Sequence, residues 1–181
     1  PARAQDGRVI TRVRSSGSRS SSFALRFAGI PYGEAVCYRP ARLPRPRIAG
    51  TLPARVESRE PGDIYAWLDE HGRYRVRLDF DRSDSEAGFA TLWLRLAKPS
   101  AGDPYGWHAP LRDGTEVAVA FDGGDPDRPY IAYARHDSAH PDPVTRANHT
   151  RNILRTAANN ELRMEDRRQQ EHVRLATEFG A

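Results

Sequence analysis

The sequence predicts an all-β chain centred on a small closed barrel, and three observations carry that prediction. Between residues 48 and 137, five or six strand-like patches recur at short, regular intervals. Fourteen prolines and fourteen glycines punctuate the 181 residues and argue against long helices. The hydrophobic share is 38%, with a mean hydropathy of -0.73, which suits a modest core.

The elements follow in order. Val9, Thr11 and Val13 alternate with Ile10, Arg12 and Arg14, and Phe23, Leu25 and Phe27 alternate with Ser22, Ala24 and Arg26. The Ser/Gly run from Ser15 to Ser22 between them reads as a low-complexity loop. Prolines at 40, 44 and 46 within Arg39–Arg47 forbid a central strand or helix and mark the clearest boundary. A strand is expected near Thr51–Glu57 and another at Ile64–Leu68, followed by a tight turn at Asp69-Glu70-His71-Gly72. The sharpest alternation is Arg73–Phe80: Tyr74, Val76, Leu78 and Phe80 share one face, and Arg73, Arg75, Arg77 and Asp79 share the other. Phe89–Leu96, Glu116–Phe121 (buried on both faces) and Tyr130–Ala134 complete the set, the last two separated by a turn at Gly123–Asp127. Closing such short strands into a barrel removes the exposed edges of a flat sheet.

Residues 137–159 read as a connector, rich in Pro, Asp, Asn and Thr. Beyond it, helix propensity competes with pattern. Glu165–His172 is wholly polar, so a helix would lack an apolar anchor for two turns. Leu162 and Met164, and then Val173 and Leu175, each sit two apart. A hairpin turning around Arg167–Gln170 accounts for that spacing.

Charge and composition narrow the function classes. The net charge of +4 rests on arginine, with Lys98 the only lysine, but 24 acidic residues are interleaved with the basic ones. A mixed surface does not draw polyanions as a one-sided patch does. Cys37 is the single cysteine, so no internal disulfide is expected. Neither a secretory signal nor an apolar run of membrane-spanning length is present. The chain begins at Pro1 and stops in mid-pattern at Ala181, and reads as an excised fragment.

No catalytic, cofactor or metal residues are assigned. His136 and His140 are four apart with His149 nearby, but Pro141 and Pro143 rule out a helix that would align them, so they read as loop histidines. Asp122, Asp125 and Asp127 are spaced like the first ligands of a calcium loop, yet lack the glutamate that follows, and read as turn residues. Gly-x-Ser-x-Gly and His-Glu-x-x-His are absent, and the Asp69-Glu70 carboxylates sit at a hairpin tip where they serve the turn.

Several blocks in series resemble the VgrG family of type VI secretion. They are Asp69–Arg77 closing on Phe80-Asp81-Arg82, Trp93–Ala97 with Ser100-Ala101-Gly102, Gly114–Val117, Val119–Phe121, and Gly124-Asp125-Pro126-Asp127-Arg128-Pro129. Upstream, Phe27–Pro31, Tyr38-Arg39-Pro40 and Pro44–Gly50 resemble the end of the family's hub domain. Downstream, Asn160–Asp166 resembles the start of its needle. Two departures stand out: Leu78-Asp79-Phe80 where relatives often carry two aromatics, and the acidic, serine-rich segment Arg82–Gly88.

The resemblance implies a barrel of the oligonucleotide/oligosaccharide-binding (OB) type at 48–137. It is flanked by the end of a hub with a Pro/Arg linker at 1–47, and by a connector with the start of a triple-stranded β-helix at 138–181. It implies a non-catalytic homotrimeric spike, similar to contractile phage tail hubs and needles, that punctures a target membrane and carries effectors. The implied partners are an inner-tube protein, a spike-tip protein and effector cargo. The implied location is bacterial cytoplasm during assembly, then export without a cleavable signal. Phage needles can carry a lysozyme between barrel and helix, and the short connector here leaves no room for one. A prophage tail spike is the near alternative. A single-strand-binding OB module is the distant one: it needs stacked aromatics beside a basic groove, for which Tyr74, Trp93, Tyr130 and Tyr133 with Arg73, Arg75 and Arg77 are the candidates. Since Tyr74 shares its face with Val76 and Leu78, it reads as core, which argues against nucleic acid as a partner. The arginine stripe could equally pair with Asp79, Asp81 or a neighbouring subunit, and reads as an assembly surface rather than a nucleic-acid groove.

Overall fold

Nine strands and two short 3₁₀ turns make up the regular structure in a computed structural model that describes residues 7–32, 39–60 and 62–179. Cys37 and Tyr38, singled out above, lie outside the described residues. The chain divides into two units, Pro1–Pro44 and Arg45–Ala181, with the division inside the proline run.

The first unit is a hairpin of β1 (Arg8–Ser18) and β2 (Ser21–Pro31). The Ser/Gly run expected to be a loop is mostly strand here. Ser15 pairs with Leu25, Ser16 with Ala24 and Ser18 with Ser21, leaving only Arg19 and Ser20 in the turn. Backbone pairing needs no apolar side chain, so weak β propensity was a poor guide at the end of a hairpin already held by Val13 opposite Phe27.

The second unit begins with extended chain. A four-stranded antiparallel sheet then runs in the order β4 (Val76–Leu78), β3 (Leu52–Val56), β5 (Glu116–Phe121), β6 (Pro129–Arg135). Two further segments close it. Tyr74, just ahead of β4, exchanges backbone hydrogen bonds of 2.8 Å in both directions with Leu94. Two residues on, Leu96 bridges Ile131 of β6 in parallel, with Ile131 N donating to Arg95 O and Ala97 N to Ile131 O. The segment Leu94–Leu96 thus joins the free edge of β4 to the free edge of β6, and the sheet has no open edge there.

Alternation explains the core. Ala54 and Val56 of β3, Tyr74, Val76 of β4, Leu94, Val117 and Val119 of β5, and Ile131 of β6 are all buried in one cluster with Ala66. Each buried Val or Ile contributes about 1.5–3 kcal/mol relative to exposure. Ala118 is buried as well, so the centre of Glu116–Phe121 is covered on both faces as its sequence predicts.

Two sequence expectations need correction. Phe80 does not share the core face: β4 ends at Leu78, Asp81 N donates to Leu78 O across a tight turn, and Phe80 is 65% exposed. Ile64–Leu68 and Phe89–Leu96 form isolated bridges rather than regular strands. Thr91 shows why, since its hydroxyl donates to Val76 O and accepts from Val76 N, replacing a backbone partner with a side chain.

A second antiparallel sheet follows, ordered β7 (Arg151–Arg155), β8 (Glu161–Glu165), β9 (His172–Ala176). The expected hairpin is present, with Leu162 opposite Leu175, Met164 opposite Val173, and a turn closed by Gln170 N donating to Arg167 O. The connector expected to run to residue 159 instead contains a 3₁₀ turn at Arg146–Asn148 and then β7. Its strand character comes from pairing with β8, which sequence outside that pair does not reveal. No helix among the described residues is long and apolar enough to cross a membrane.

Candidate assembly surface

The arginine stripe is the first place to look for a binding surface, and the fold spends it internally. Arg73 donates to Asp69 at 2.6 Å, and Asp69 also accepts the backbone N–H groups of His71 and Arg73. These bonds hold the Asp69 carboxyl below its ordinary range against the opposing effect of its partial burial. Arg75 lies over the Trp93 ring at 4.4 Å, near Trp67 and Phe89 at 5.8 Å each, and donates to Thr91 O. Trp67 itself packs edge-on against Phe89 and Trp93. Arg77 donates to Glu57 at 2.8 Å and to Ser85 O at 2.9 Å. None of the three is left facing solvent without a partner, which corrects the reading of this stripe as an assembly surface.

The expected aromatic platform is dispersed too. Tyr74 is fully buried, and burial pushes its phenol upward in pKa. Trp93 belongs to the Arg75 cluster. Tyr130 and Tyr133 stand opposite Ala120 and Ala118 on the outer side of β6. These four do not form one stacking face beside a basic groove.

The remaining sequence candidates are engaged locally. Asp125 and Asp127 accept from Arg45 at 3.0 and 2.6 Å, while Asp122 faces Arg128 at 3.4 Å. His136 lies 3.6 Å from Asp142, His140 lies 3.1 Å from Asp137, and His149 Nδ1 is 3.0 Å from Arg146 O. Among the described residues, no group of three His, Cys, Asp or Glu side chains converges as a metal site.

Two charged networks were not anticipated. Arg55 on β3 reaches Asp137, Glu116 at 3.2 Å and Asp79 at 3.9 Å. Its guanidinium, with help from the His140 backbone N–H, holds the Asp137 carboxyl far below the usual carboxylate range. Glu57, 8% exposed, accepts from Arg77 and from the Gly88 backbone N–H at 3.0 Å, pinning the acidic Arg82–Gly88 segment to the barrel. Both networks join residues 20 to 82 positions apart, beyond the reach of motif reading.

The C-terminal sheet has the strongest two-faced character. One face carries Leu154, Leu162, Met164, Val173 and Leu175, all exposed, with Val173 at 71% and Leu175 at 81%. The other is a ladder of charges. Arg151 donates to Glu165 at 3.0 Å, Arg155 donates to Glu161, and Arg163 lies 3.7 Å from Glu161. The two glutamates are buried beneath those long side chains. The Thr150 hydroxyl, then Arg151, hold the Glu165 carboxyl down at about 2. Such a sheet pairs most of its polar face, Arg163 Nε excepted, and leaves its apolar face bare, an arrangement that marks an interaction surface. The β1–β2 hairpin repeats the pattern, with Val13, Phe23, Leu25 and Phe27 exposed on one face.

Residues 61–136 match the family model of the type VI secretion system/phage-baseplate injector OB domain. The type VI secretion system spike protein VgrG4b of Pseudomonas aeruginosa is 36% identical over 155 residues, covering 82% of this chain and 19% of that protein. The actin cross-linking toxin VgrG1 of Vibrio cholerae is 33% identical over 165 residues, covering 88% of this chain and 15% of that protein. Among solved structures, the E. coli c3393 protein is described as a type VI secretion component with structural similarity to the T4 bacteriophage tail proteins gp27 and gp5. It is 47% identical, with a TM-score of 0.42, over 75% of this chain and 32% of that chain. This chain therefore spans a fifth or less of the length of the two curated relatives.

Proposed function

Because this chain belongs to the VgrG-like spike proteins of type VI secretion, we propose that it serves as the middle of a homotrimeric spike. In this reading residues 1–47 end a hub and lead out through the Pro/Arg linker, 48–137 form the OB barrel, and 138–181 begin a triple-stranded β-helical needle. A structural role in the tail spike follows from the family. The trimer, the puncture of a target membrane and the carriage of effectors are the finer parts of the proposal.

The observation that carries it is the bare apolar face of the C-terminal sheet. Leu154, Leu162, Met164, Val173 and Leu175 project from one side of three short strands, and among the described residues nothing covers them. A contiguous apolar face left open to water marks a surface that another apolar surface covers. Copies of the same chain supply one, with the charged ladder left outside. The mechanism is mechanical: the closed barrel passes force from hub to needle, and shared β packing resists shear. The inner-tube protein, a spike-tip protein and effector cargo are the partners this role requires. Assembly in the cytoplasm and delivery through the secretion tail, without a cleavable signal, is the matching route. The matched family model also covers phage-baseplate injectors, so a prophage tail spike is the second reading.

Sedimentation of the full-length protein tests the proposal. A trimer is expected, and Leu162→Glu is expected to weaken it while leaving the barrel's thermal transition in place. Only monomer at high concentration would overturn the reading. Salt-dependent binding of a fluorescent single-stranded oligonucleotide would favour the nucleic-acid alternative instead.

A further inference from the structure

The charged face of the C-terminal sheet holds two like charges side by side. Arg163 of β8 and Arg174 of β9 stand directly opposite each other in the strand register. Side chains so placed have Cβ atoms about 5 Å apart, and two cations at that spacing repel. Neither has a full carboxylate partner. Among the described residues Arg174 makes no ion pair, and Arg163 lies 3.7 Å from Glu161, beyond hydrogen-bond reach. Glu161 is already engaged, its Oε2 accepting from both Nε and Nη2 of Arg155. Even the buried Nε of Arg163 has no acceptor. This guanidinium is therefore held against the sheet without the hydrogen bonds that would offset its desolvation.

The pair borders a hollow of about 380 Å³, to which Asn159 brings an amide and Thr177 a hydroxyl. Its charged lining is Arg155, Arg163 and Arg174 against Glu161 and Glu178, which leaves one positive charge in excess. The Glu161 carboxyl is held below its ordinary range by the hydrogen bond from Arg155, with the charges of Arg163 and Arg174 adding to it. Both unpaired cations thus act at the same place on the sheet. We infer that this hollow binds a tetrahedral oxyanion, a phosphate or sulfate group bridged between the guanidinium groups of Arg163 and Arg174. The planar fork of arginine offers parallel N–H donors to such a group. The bound oxyanion turns a repulsive cross-strand pair into a shared ion pair. The hollow lies on the face opposite Leu162 and Leu175, so the site does not depend on how the apolar face is covered.

Isothermal titration calorimetry of the full-length protein with inorganic phosphate, at a constant ionic strength set with sodium chloride, tests this. Saturable binding is expected, with sulfate competing. Arg174→Gln is expected to weaken it about tenfold or more, the scale of one lost charge-assisted pair. Arg168→Gln, at an exposed arginine before β9 and outside the hollow, is expected to leave it unchanged. Glycerol phosphate in competition identifies the source of the group. Displacement at a lower concentration than inorganic phosphate points to the end of a phosphate ester, and weaker displacement to the free ion. Absence of saturable binding overturns the inference, as does equal binding by Arg174→Gln. So does an equal loss in Arg168→Gln, which would mark diffuse attraction by surface charge. If Arg174→Gln fails to fold, Glu178→Gln removes the carboxylate that opposes the anion. It is expected to tighten binding several-fold, and an unchanged affinity overturns the inference.

Discussion

The guanidinium of Arg75 lies 4.4 Å from the centroid of the Trp93 ring, on the side of the barrel where alternation alone would have placed a free basic stripe. The cation is held by aromatic faces and by Thr91 O rather than by a ligand. Arg75→Ala is expected to cost about 1–2 kcal/mol through the lost cation–π contact and the void left by the aliphatic stem. Arg75→Lys is expected to recover only part, since an ammonium cannot stack as a plane. Thermal unfolding followed by circular dichroism reads both, and a wild-type melting temperature for Arg75→Ala would refute the assignment.

Gly88 gives a sharper test of packing. It sits at φ +79°, and a Cβ there would meet the Trp67 ring at 2.8 Å and Ser58 O at 3.0 Å. Its N–H also serves buried Glu57. Gly88→Ala is expected to destabilise the barrel by more than the roughly 1 kcal/mol typical of a backbone-strain change alone. Denaturant unfolding at fixed pH measures it, and a shift below that size would show that the segment relaxes freely.

Arg55 and Arg45 are both ion-paired but differ in setting. Arg45 is largely exposed, while Arg55 on β3 joins three carboxylates from the chain after β4, from β5 and from the chain after β6. Arg55→Ala is expected to lower the melting temperature clearly, and Arg45→Ala hardly at all, because exposed pairs are screened. In Arg55→Ala the Asp137 carboxyl is expected to titrate back toward the usual range. Carbon-detected NMR of the carboxyl follows that directly, and an unchanged titration would contradict the role given to Arg55.

The C-terminal sheet should be acid-sensitive in a defined window. Glu165 is held at about 2, against an ordinary value of 4.5. A depressed carboxylate contributes stability that is fully present above its unfolded value. That contribution is lost as pH falls from about 4.5 to about 2. Melting of the wild type is expected to decline across this window. Glu165→Gln is expected to decline less steeply, and an identical slope for the two would exclude Glu165 as the source.

Much of the fold was legible because it is local. Val117 and Val119, Ala54 and Val56, and the Leu162–Met164 and Val173–Leu175 pairs alternate with the period of a strand. That period is a property of the backbone, not of its surroundings. Proline at 40, 44 and 46 breaks regular structure wherever it occurs.

Tertiary structure alone decided how the side chains outside those patterns are used. Closure of the barrel depends on Leu94 meeting Tyr74 and on Leu96 meeting Ile131 in parallel, pairings that no short-range pattern encodes. The fate of the arginine stripe depended on where Glu57, Trp67 and Trp93 arrive once the sheet curls. By itself, then, the sequence determined the alternation, the breaks and the all-β class, because these arise from backbone geometry within a few residues. Whether an arginine meets solvent, a carboxylate or an indole was settled only when distant strands came together.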